Sequence, residues 1–356
     1  MNSNRVWGGG EKWHYETACF FDQQGYSVIV ITNRRSDLYY RLKGQKDILV
    51  ISKRVSNFSF FNPFKLNYFR KLFKIHHVHS VFLGLSNDVK LGGLAARMAG
   101  VEQIIYRRGS AIPVNNSFFN RFLFQHVLTR IITNSEEIRN TLFQRNPEII
   151  NTSKVHTIYN GINLANWPAP DFFMNGKDRP TQLILGNAGR LVEQKGQDYL
   201  ISIAGLLKEH RIDFKLLIAG RGDLEKSLKR RCIKENLREE VVFLDFVDDI
   251  KEFLKGLDMY LSTSIHEGSS HVILEAMAAG KPVLAFDISS MPEMIVDGDS
   301  GYLVPFGDVE QYAEKIIQLW ADKKALVRMG KNARVQVEKK FDFNTNVKKV
   351  IELIEK

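Results

Sequence analysis

The chain of 356 residues is 44% hydrophobic and 25% charged, a composition typical of a soluble globular protein that is long enough for two domains. It has neither the run of roughly 18 apolar residues that spans a membrane nor the start of a signal peptide. Its net charge of +10 is concentrated in residues 1–165, where 22 Lys and Arg residues and 10 Asp and Glu residues give a net charge of +12. This asymmetry favours an anionic partner. The sequence has no nucleic-acid-binding signature, which argues against nucleic acid as that partner.

The first half alternates short apolar runs with helical stretches, which is typical of a mostly parallel sheet covered on both faces. The predicted strands are 27–32, 47–52, 80–85, 103–107 and 130–134, and the predicted helices are 12–24, 36–43, 63–76, 88–99, 117–125 and 136–143. A glycine turn, Gly8 to Gly10, precedes the first helix, as it does after the first strand of a doubly wound sheet. Residues 1–6 are too few and too polar for a full buried strand, so the start is truncated or the strand is a stub. Alternatively, the glycines mark a flexible terminus.

Residues 53–77 combine aromatic and basic side chains, among them Phe58, Phe61, Phe64, Lys65 and Lys71. A helix of this composition is suited to the interface of an anionic bilayer. The equally weighted alternative is a helix whose aromatic side chains face the core and whose lysines are solvated.

Arg107 and Arg108 fall at the carboxyl end of a predicted strand, where ligands of α/β sheets bind. Either arginine is a candidate contact for an anionic acceptor. A basic loop solvated at the surface is the alternative.

The turn signal Asn160-Gly161 closes the first half, and a proline-containing linker is predicted at 167–180. In the second half the predicted strands are 183–187, 214–219, 241–246, 259–263, 282–286 and 301–304, and the predicted helices are 197–210, 272–279, 309–321, 324–339 and 341–355. Cys19 and Cys232 lie in separate predicted helices and indicate inert thiols in a reducing cytoplasm.

The first loop of the second half runs from Gly189 to Gly196 and carries Arg190 and Lys195. A glycine loop with a guanidinium fork and an ammonium before a helix is suited to clamp a diphosphate from two sides. The alternative is an ordinary basic loop before a helix.

Glu267 and Glu275 enclose the most informative stretch of the chain. The spacing places Glu267 on a loop and Glu275 about one turn inside the following helix. Between them lie the free N–H groups of the first helical turn, which form an anion site. Two carboxylates flanking an anion site suit a nucleoside diphosphate sugar, which has phosphate in the middle and hydroxyls at both ends.

The run from Glu267 to Val283 resembles the signature of the retaining glycosyltransferase family 4, and the resemblance extends over nearly the whole chain. It implies the GT-B fold, with two Rossmann-like domains facing across a cleft: 1–165 binds the acceptor, 166–340 binds the nucleotide sugar, and 341–356 is a helix that returns to the first domain. The resemblance implies catalytic roles for Arg190, Lys195 and Glu267. It implies donor contacts at Gly8, Gly9, Gly189, Arg190, Lys195, Gly220, Phe246, Val247, Glu267, Gly268, Ser269, Ser270, His271 and Glu275.

This resemblance predicts transfer of a sugar from a nucleotide-diphosphate sugar to a glycan or lipid-linked acceptor by a cytoplasmic enzyme, peripheral on the inner face of the cell membrane. A UDP-sugar is favoured as donor, and GDP-mannose is possible. No metal or other cofactor is expected, because Arg190 and Lys195 supply positive charge, and Asp297 and Asp299 are interpreted as a turn. The alternatives are a sugar-nucleotide epimerase of the same fold and a non-catalytic binding subunit.

Overall fold

The computed structural model describes residues 1–168, 170 and 182–355, so most of the predicted linker at 167–180 lies outside the described residues. The chain divides into two compact units. Unit 1 comprises Met1–Asn160 and Asn346–Lys356, and unit 2 comprises Gly161–Thr345. Each is an α/β unit with parallel strands, so the predicted α/β class is confirmed. The first boundary falls in the Asn160-Gly161 turn rather than after residue 165.

Unit 1 is built on parallel strands in two groups. The strands are β1 (Ile29–Thr32), β2 (Leu49–Ser52), β3 (Ser80–Leu83), β4 (Gln103–Arg108), β5 (Arg130–Thr133) and β6 (Val155–Thr157). β1 pairs with β2, while β3 to β6 form a sheet in chain order. Leu83 and Ile105 are fully buried, as expected for strands covered on both faces.

The first two residues join these groups of strands. The N–H of Asn2 donates to the carbonyl of Ile31 at 2.9 Å. On the opposite side, the amino group of Met1 donates to the carbonyl of Phe82 at 2.5 Å, and the N–H of Gly84 donates to the carbonyl of Met1 at 2.9 Å. Met1 and Asn2 therefore occupy the position of the predicted first strand, between β1 and β3.

The helices of unit 1 cover both faces of its sheets. They are α1 (Gly9–Gln23), α2 (Asp37–Leu42), α3 (Pro63–Ile75), α4 (Ser86–Asp88), α5 (Leu94–Ala99), α6 (Phe118–Phe122) and α7 (Glu136–Phe143), with π-helical turns at Val89–Gly93 and Leu123–Val127. The prediction of a glycine turn before a helix at Lys12 was wrong in its bounds. The N–H of Lys12 donates to the carbonyl of Gly8 at 2.9 Å, so Gly9 and Gly10 already belong to the first helical turn.

Unit 2 contains one six-stranded parallel sheet. Its strands are β7 (Leu183–Ala188), β8 (Phe214–Ala219), β9 (Val241–Leu244), β10 (Met259–Ser262), β11 (Val283–Phe286) and β12 (Gly301–Val304), in the order β12-β11-β10-β7-β8-β9. The chain builds outward from β7 in one direction and from β10 in the other. The carboxyl ends of β7 and β10 therefore flank the topological switch point, where ligands bind in sheets of this kind.

Eight helices follow in the second half of the described chain. They are α8 (Gln197–Glu209), α9 (Glu225–Lys234), α10 (Ile250–Lys255), α11 (His271–Ala278), α12 (Met291–Met294), α13 (Val309–Ala321), α14 (Lys323–Lys340) and α15 (Phe343–Ile354). From Asn346 onward the chain belongs to unit 1, where the hydroxyl of Tyr26 donates to the Glu355 carboxylate at 2.5 Å. Cys19 of α1 and Cys232 of α9 are free thiols.

Candidate functional site

Two loops meet at the switch point of unit 2, because β7 and β10 are neighbours and each loop follows the carboxyl end of one of them. We call residues 189–196 the β7 loop and residues 263–270 the β10 loop. The N–H of Ile265 donates to the carbonyl of Gln194 at 2.8 Å, and the Gln194 amide donates to the carbonyl of His266 at 2.9 Å. These hydrogen bonds fix the two loops against each other.

An ion pair between Lys195 and Glu267 joins the side chains of the two loops. The side chains are only 19% and 13% exposed, respectively, so solvent screens the attraction less than it would at the surface. The hydroxyl of Ser264 donates to the Glu267 carboxylate at 3.3 Å, and the hydroxyl of Ser290 donates to its main-chain carbonyl at 3.1 Å. Glu267 is thus held from three directions, and the pair has no net charge.

Close backbone packing shapes the floor beneath this pair. The N–H of Gly189 donates to the carbonyl of Ala219 at 2.9 Å. A Cβ at Gly220, whose φ is +133°, would lie 1.9 Å from the carbonyl oxygen of Gly189. Only glycine allows this approach. The aliphatic part of Lys195 then lies against Gly189, since a Cβ there would be 3.7 Å from Cε of the lysine.

The helix α11 begins where the β10 loop ends. Its first residue is His271, and the carbonyl of Ser270 accepts the N–H of Leu274 at 3.2 Å. The N–H groups before Leu274 are those that an α-helix leaves for an external acceptor. Among the described residues, the buried hydroxyl of Ser269 has no hydrogen-bond partner. Such donors and the positive end of a helix dipole are suited to an anion.

The Tyr260 hydroxyl lies at the carboxyl end of β7, and the sequence analysis did not single this residue out. Its hydroxyl donates to the carbonyl of Ala188 at 3.1 Å and accepts the N–H of the same residue at 3.2 Å. Burial raises the pKa of Tyr260 far above its ordinary value, and the Glu267 and Glu275 carboxylates raise it further.

The other predicted donor residues lie around this centre to different degrees. Arg190 is exposed, while its carbonyl accepts the side-chain amide of buried Gln197 at 2.9 Å. The N–H of Gly220 lies 3.2 Å from the carbonyl of Asp245, which places the end of β9 beside Gly220. The strand ends at Leu244, so the prediction of a strand through Phe246 was wrong, and Phe246 is 64% exposed. Val247, Gly268 and His271 are partly buried.

Arg107 and Arg108 end β4 in unit 1 with 4% and 5% exposure, so the alternative of a solvated basic loop was wrong. Arg107 donates to the side-chain carbonyl of Asn160 at 2.5 Å, and its guanidinium lies 4.9 Å from the ring centre of Trp13. Burial lowers the pKa of Arg107 to about 10, and the Glu11 carboxylate opposes that shift. Arg107 remains a cation at neutral pH.

The amino-terminal glycines lie in the same unit as this buried arginine. Gly8 is extended, with φ of −161°, and a Cβ on it would lie 3.2 Å from the Glu11 carboxylate. The other carboxylate oxygen of Glu11 accepts the side-chain amide of Asn2 at 3.0 Å. Any group that approaches Gly8 and Gly9 therefore meets a buried carboxylate.

Arg108 is held by a different set of contacts. One guanidinium nitrogen donates to the carbonyl of Ile112. Its Nε is buried and has no hydrogen-bond partner among the described residues. This Nε–H is therefore a buried donor whose hydrogen bond is unsatisfied.

Comparison with known proteins covers both halves of the chain. Residues 171–336 match the sequence model described as Glycosyl transferases group 1, and residues 7–166 match the one described as Glycosyltransferase Family 4. The putative glycosyltransferase EpsD of Bacillus subtilis is 28% identical, with 88% of this chain and 85% of that protein covered. The UDP-Gal:α-D-GlcNAc-diphosphoundecaprenol α-1,3-galactosyltransferase of Escherichia coli is 25% identical, with 80% and 76% covered.

Solved structures share the fold. A glycosyltransferase from Rickettsia africae superposes with a TM-score of 0.85 at 20% identity, covering 100% of this chain and 98% of that one. Anabaena HepE in complex with UDP and glucose superposes with a TM-score of 0.81 at 19% identity, covering 100% and 99%. These neighbours have the GT-B fold, and the predicted fold is confirmed.

Proposed function

The chain belongs to the group 1 and family 4 glycosyltransferases, and on this premise we propose that it is a retaining enzyme that uses a nucleotide-diphosphate sugar. A UDP-sugar is the favoured donor, because HepE is known in complex with UDP and with UDP-glucose. The proposed acceptor is a glycan or a lipid-linked sugar in cell-surface polysaccharide synthesis, as for the Escherichia coli relative, which acts on a diphosphoundecaprenol-linked sugar. The Lys195–Glu267 pair at the switch point carries the proposal.

Lys195 stabilises the leaving diphosphate in this mechanism. Cleavage of the sugar–phosphate bond builds negative charge on the diphosphate, and charges and dipoles fixed in advance stabilise it without reorganisation. The Lys195 ammonium and the N–H groups around Ser269 to His271 supply such donors. Arg190 adds a second cation from the same loop. The Glu275 carboxylate, on α11, accepts hydrogen bonds from the hydroxyls of the ribose.

Glu267 exchanges its partner when the donor binds. In the structure its carboxylate neutralises Lys195. The diphosphate brings more negative charge to the ammonium and competes for it. The carboxylate, still held by Ser264, then accepts hydrogen bonds from the donor sugar and orients it. Donor binding thus replaces one ion pair by two ligand contacts, and neither charge is left buried alone.

Arg107 is proposed to bind an anionic group of the acceptor. Its guanidinium is buried and its position is fixed by Asn160 and Trp13. A buried cation is costly unless an anion compensates it, and the Glu11 carboxylate does so in part. A phosphate of a lipid-linked acceptor would add to this compensation, and the unsatisfied Nε–H of Arg108 is a second donor at the end of the same strand.

The direct test is turnover of UDP-sugars by the purified chain in EDTA. We expect release of UDP without acceptor at a slow rate, faster release with lipid-diphosphate acceptors, and no loss in EDTA, because the protein supplies the cations. UDP at about 100 times its Kd should stabilise the fold by about 2.7 kcal/mol. Nucleotide binding without any turnover would indicate a binding subunit, and conversion of the donor sugar itself would indicate an epimerase. Loss of turnover in EDTA would favour a metal site at Asp297 and Asp299.

A set of exposed aromatic side chains supports membrane docking of unit 1. We call Phe58, Phe61, Phe64 and Phe118 the aromatic patch; their exposure is between 71% and 85%. Phe60 brings Phe118 close to the other three, because the Phe60 ring stacks on that of Phe119 with the ring centres 4.9 Å apart. α3 serves the core as well, through Phe69 and Phe73.

The charge around the aromatic patch fits an anionic bilayer. Lys53, Arg54, Lys71, Lys74 and Arg121 are exposed nearby in the chain. Aromatic rings at the interface with lysines and arginines around them are typical of peripheral membrane proteins. No described helix has the length and apolar character needed to cross a bilayer. We therefore propose a peripheral position on the inner face of the cell membrane.

Substituting serine at Phe61, Phe64 and Phe118 together is expected to weaken binding to phosphatidylglycerol vesicles at least about tenfold, since each buried Phe contributes roughly 1.5–3 kcal/mol. Co-sedimentation with vesicles measures the effect. The matched control is Ile233→Ser with Val335→Ser, two exposed apolar residues of unit 2, which should leave binding unchanged. Equal vesicle binding by all three proteins would contradict membrane docking through the patch.

A further inference from the structure

Two loop segments of unit 1 are fixed to each other at the carboxyl end of β1, one before α1 and the other between β1 and α2. The side-chain amide of buried Asn33 donates to the carbonyl of Ser3. The N–H of Asp37 donates to the carbonyl of Arg5 at 3.2 Å, and the Asp37 carboxylate accepts the N–H of Trp7 at 2.9 Å. The carboxyl ends of the strands form the edge at which α/β sheets bind their ligands.

Exposed arginines surround this junction of the two segments. They are Arg5, Arg34, Arg35 and Arg41, and we call them the arginine cluster. In the part of the chain that the structure describes, none of the four forms an ion pair. Asp37 lies between Arg35 and Arg41 in the sequence, and its single charge leaves most of the positive charge of the cluster unbalanced.

The backbone of Arg35 is strained. Its φ of +61° lies in the left-handed region, which is unfavourable for a residue with a side chain. His77, Arg211 and Asn236 have similar φ values, but each lies two residues past the end of a helix, where this conformation is usual. Arg35 instead lies in the turn between β1 and α2. Glycine would adopt this φ without strain, so an arginine here indicates a function for its side chain.

The arginine cluster and the Arg107 site are joined by one short stretch of chain. Residues 5–10 lead from Arg5 to Gly10, where a Cβ would lie 3.9 Å from the Arg107 guanidinium. Between them, the ring of Trp7 has the Arg41 guanidinium 4.2 Å from its centre. Five peptide steps span at most about 18 Å, so one oligomer is long enough to contact both sets of cations.

The residue type and the spread of the arginine cluster indicate the chemistry of its ligand. Guanidinium groups bind phosphate and carboxylate through paired hydrogen bonds. Cations on two loop segments and on α2, with Arg107 beyond them, are suited to several anionic groups on one chain rather than to a single anion. A flat bilayer surface cannot contact the buried Arg107, and this favours a glycan over a membrane as the ligand.

We propose that the arginine cluster binds the acceptor glycan through oxyanions carried on its successive units, either phosphodiesters or sugar carboxylates. This inference rests on the proposed transfer of a sugar to a glycan acceptor. It adds a second anionic subsite to the one at Arg107, and it makes the acceptor a polyanionic chain.

Binding of short oligomers to the full chain tests the proposal. Poly(glycerol phosphate) and oligogalacturonate are the anionic probes, and a maltooligosaccharide is the neutral one. At least one anionic oligomer should bind at least about tenfold more tightly than the neutral one, and the preferred oligomer distinguishes phosphodiester from carboxylate. Substituting Arg5→Gln, Arg34→Gln and Arg35→Gly together should weaken this binding at least about tenfold, because charged hydrogen bonds are lost.

The matched control removes the same charge from unit 2, through Lys226→Gln, Arg230→Gln and Lys234→Gln on exposed positions of α9, and should bind the anionic oligomer as the unsubstituted chain does. Equal binding of the anionic and neutral oligomers, or equal losses in the two triple variants, would overturn the proposal. So would a loss of binding to phosphatidylglycerol vesicles in the arginine variant with oligomer binding unchanged, since the cluster would then serve the bilayer.

Arg35→Gly alone separates ligand binding from a structural role. It should weaken binding of the anionic oligomer while Tm stays the same or rises, because glycine relieves the strain. A lower Tm with unchanged binding would contradict the role of Arg35. Failure of the two proposals is distinguishable: turnover of UDP-sugars without oligomer binding overturns only the arginine cluster, whereas oligomer binding without turnover overturns only the proposed enzyme.

Discussion

Substituting alanine for Lys195 is expected to lower turnover by about 10²–10³-fold, the usual loss when a preorganised stabiliser of developing negative charge is removed. Lys195 is the one described cation paired to Glu267, and its ammonium lies at the switch point between β7 and β10. Steady-state release of UDP from a UDP-sugar measures the loss. Arg190→Ala should give a second large loss, because the exposed guanidinium of Arg190 is on the same loop.

The control for Lys195→Ala is Lys324→Ala, an exposed lysine at the start of α14, which should leave turnover and Tm unchanged. Lys195→Ala leaves the carboxylate of Glu267 without its cation, so Tm must be measured for both proteins. A double substitution, Lys195→Ala with Glu267→Gln, restores charge balance. If Lys195→Ala were slow only because the Glu267 carboxylate is left unpaired, the double variant would regain activity; if Lys195 acts on the diphosphate, the double variant stays as slow as Lys195→Ala or becomes slower. Near-normal turnover at both Lys195→Ala and Arg190→Ala would contradict the diphosphate clamp.

The fold and the centre of the site were predictable because their signals are local. Alternating apolar runs and helices predicted the parallel sheets. The predicted strand that ends before Gly189 placed Lys195 in a loop at the carboxyl edge of the second sheet. The prediction that Glu267 precedes a helix and Glu275 lies within it depends only on the helix bounds, and α11 begins at His271. The pairing of the β7 and β10 loops follows from the strand order, which the motifs of a doubly wound sheet indicate.

Contacts between distant parts of the chain were not predictable from such signals. Arg107 ends a predicted strand, and nothing local in the sequence indicates that it is buried. Its guanidinium contacts Trp13, which lies far earlier in the chain, and Asn160, which lies far later. Phe118 adds to the aromatic patch only because Phe119 stacks on Phe60. Tyr260 lies inside a buried strand, where its aromatic ring alone would suit the core. In each case the partner is remote in sequence, and no local period or turn signal marks it.

Gly196→Ala is expected to separate the two loops of the site. Gly196 has φ of +62°, and a Cβ there would lie 2.1 Å from the carbonyl oxygen of Thr263. The left-handed conformation costs roughly 1–2 kcal/mol with a side chain, and the overlap is with backbone, so the β7 loop must move. Displacement of a catalytic group by about 1 Å is enough for a loss of about 10²-fold. Turnover and Tm should both fall.

Gly205→Ala is the matched control, because Gly205 lies inside α8, the helix that follows Gly196, and a Cβ there meets nothing within 4 Å. Alanine in a helix interior is favoured over glycine by roughly 0.5–1 kcal/mol, so Tm should rise slightly while turnover stays unchanged. Both variants add one methyl group, the first just before α8 and the second inside it. They differ in whether that methyl group overlaps with other atoms. If Gly196→Ala kept full turnover, the close contact between the β7 and β10 loops would not be required for sugar transfer.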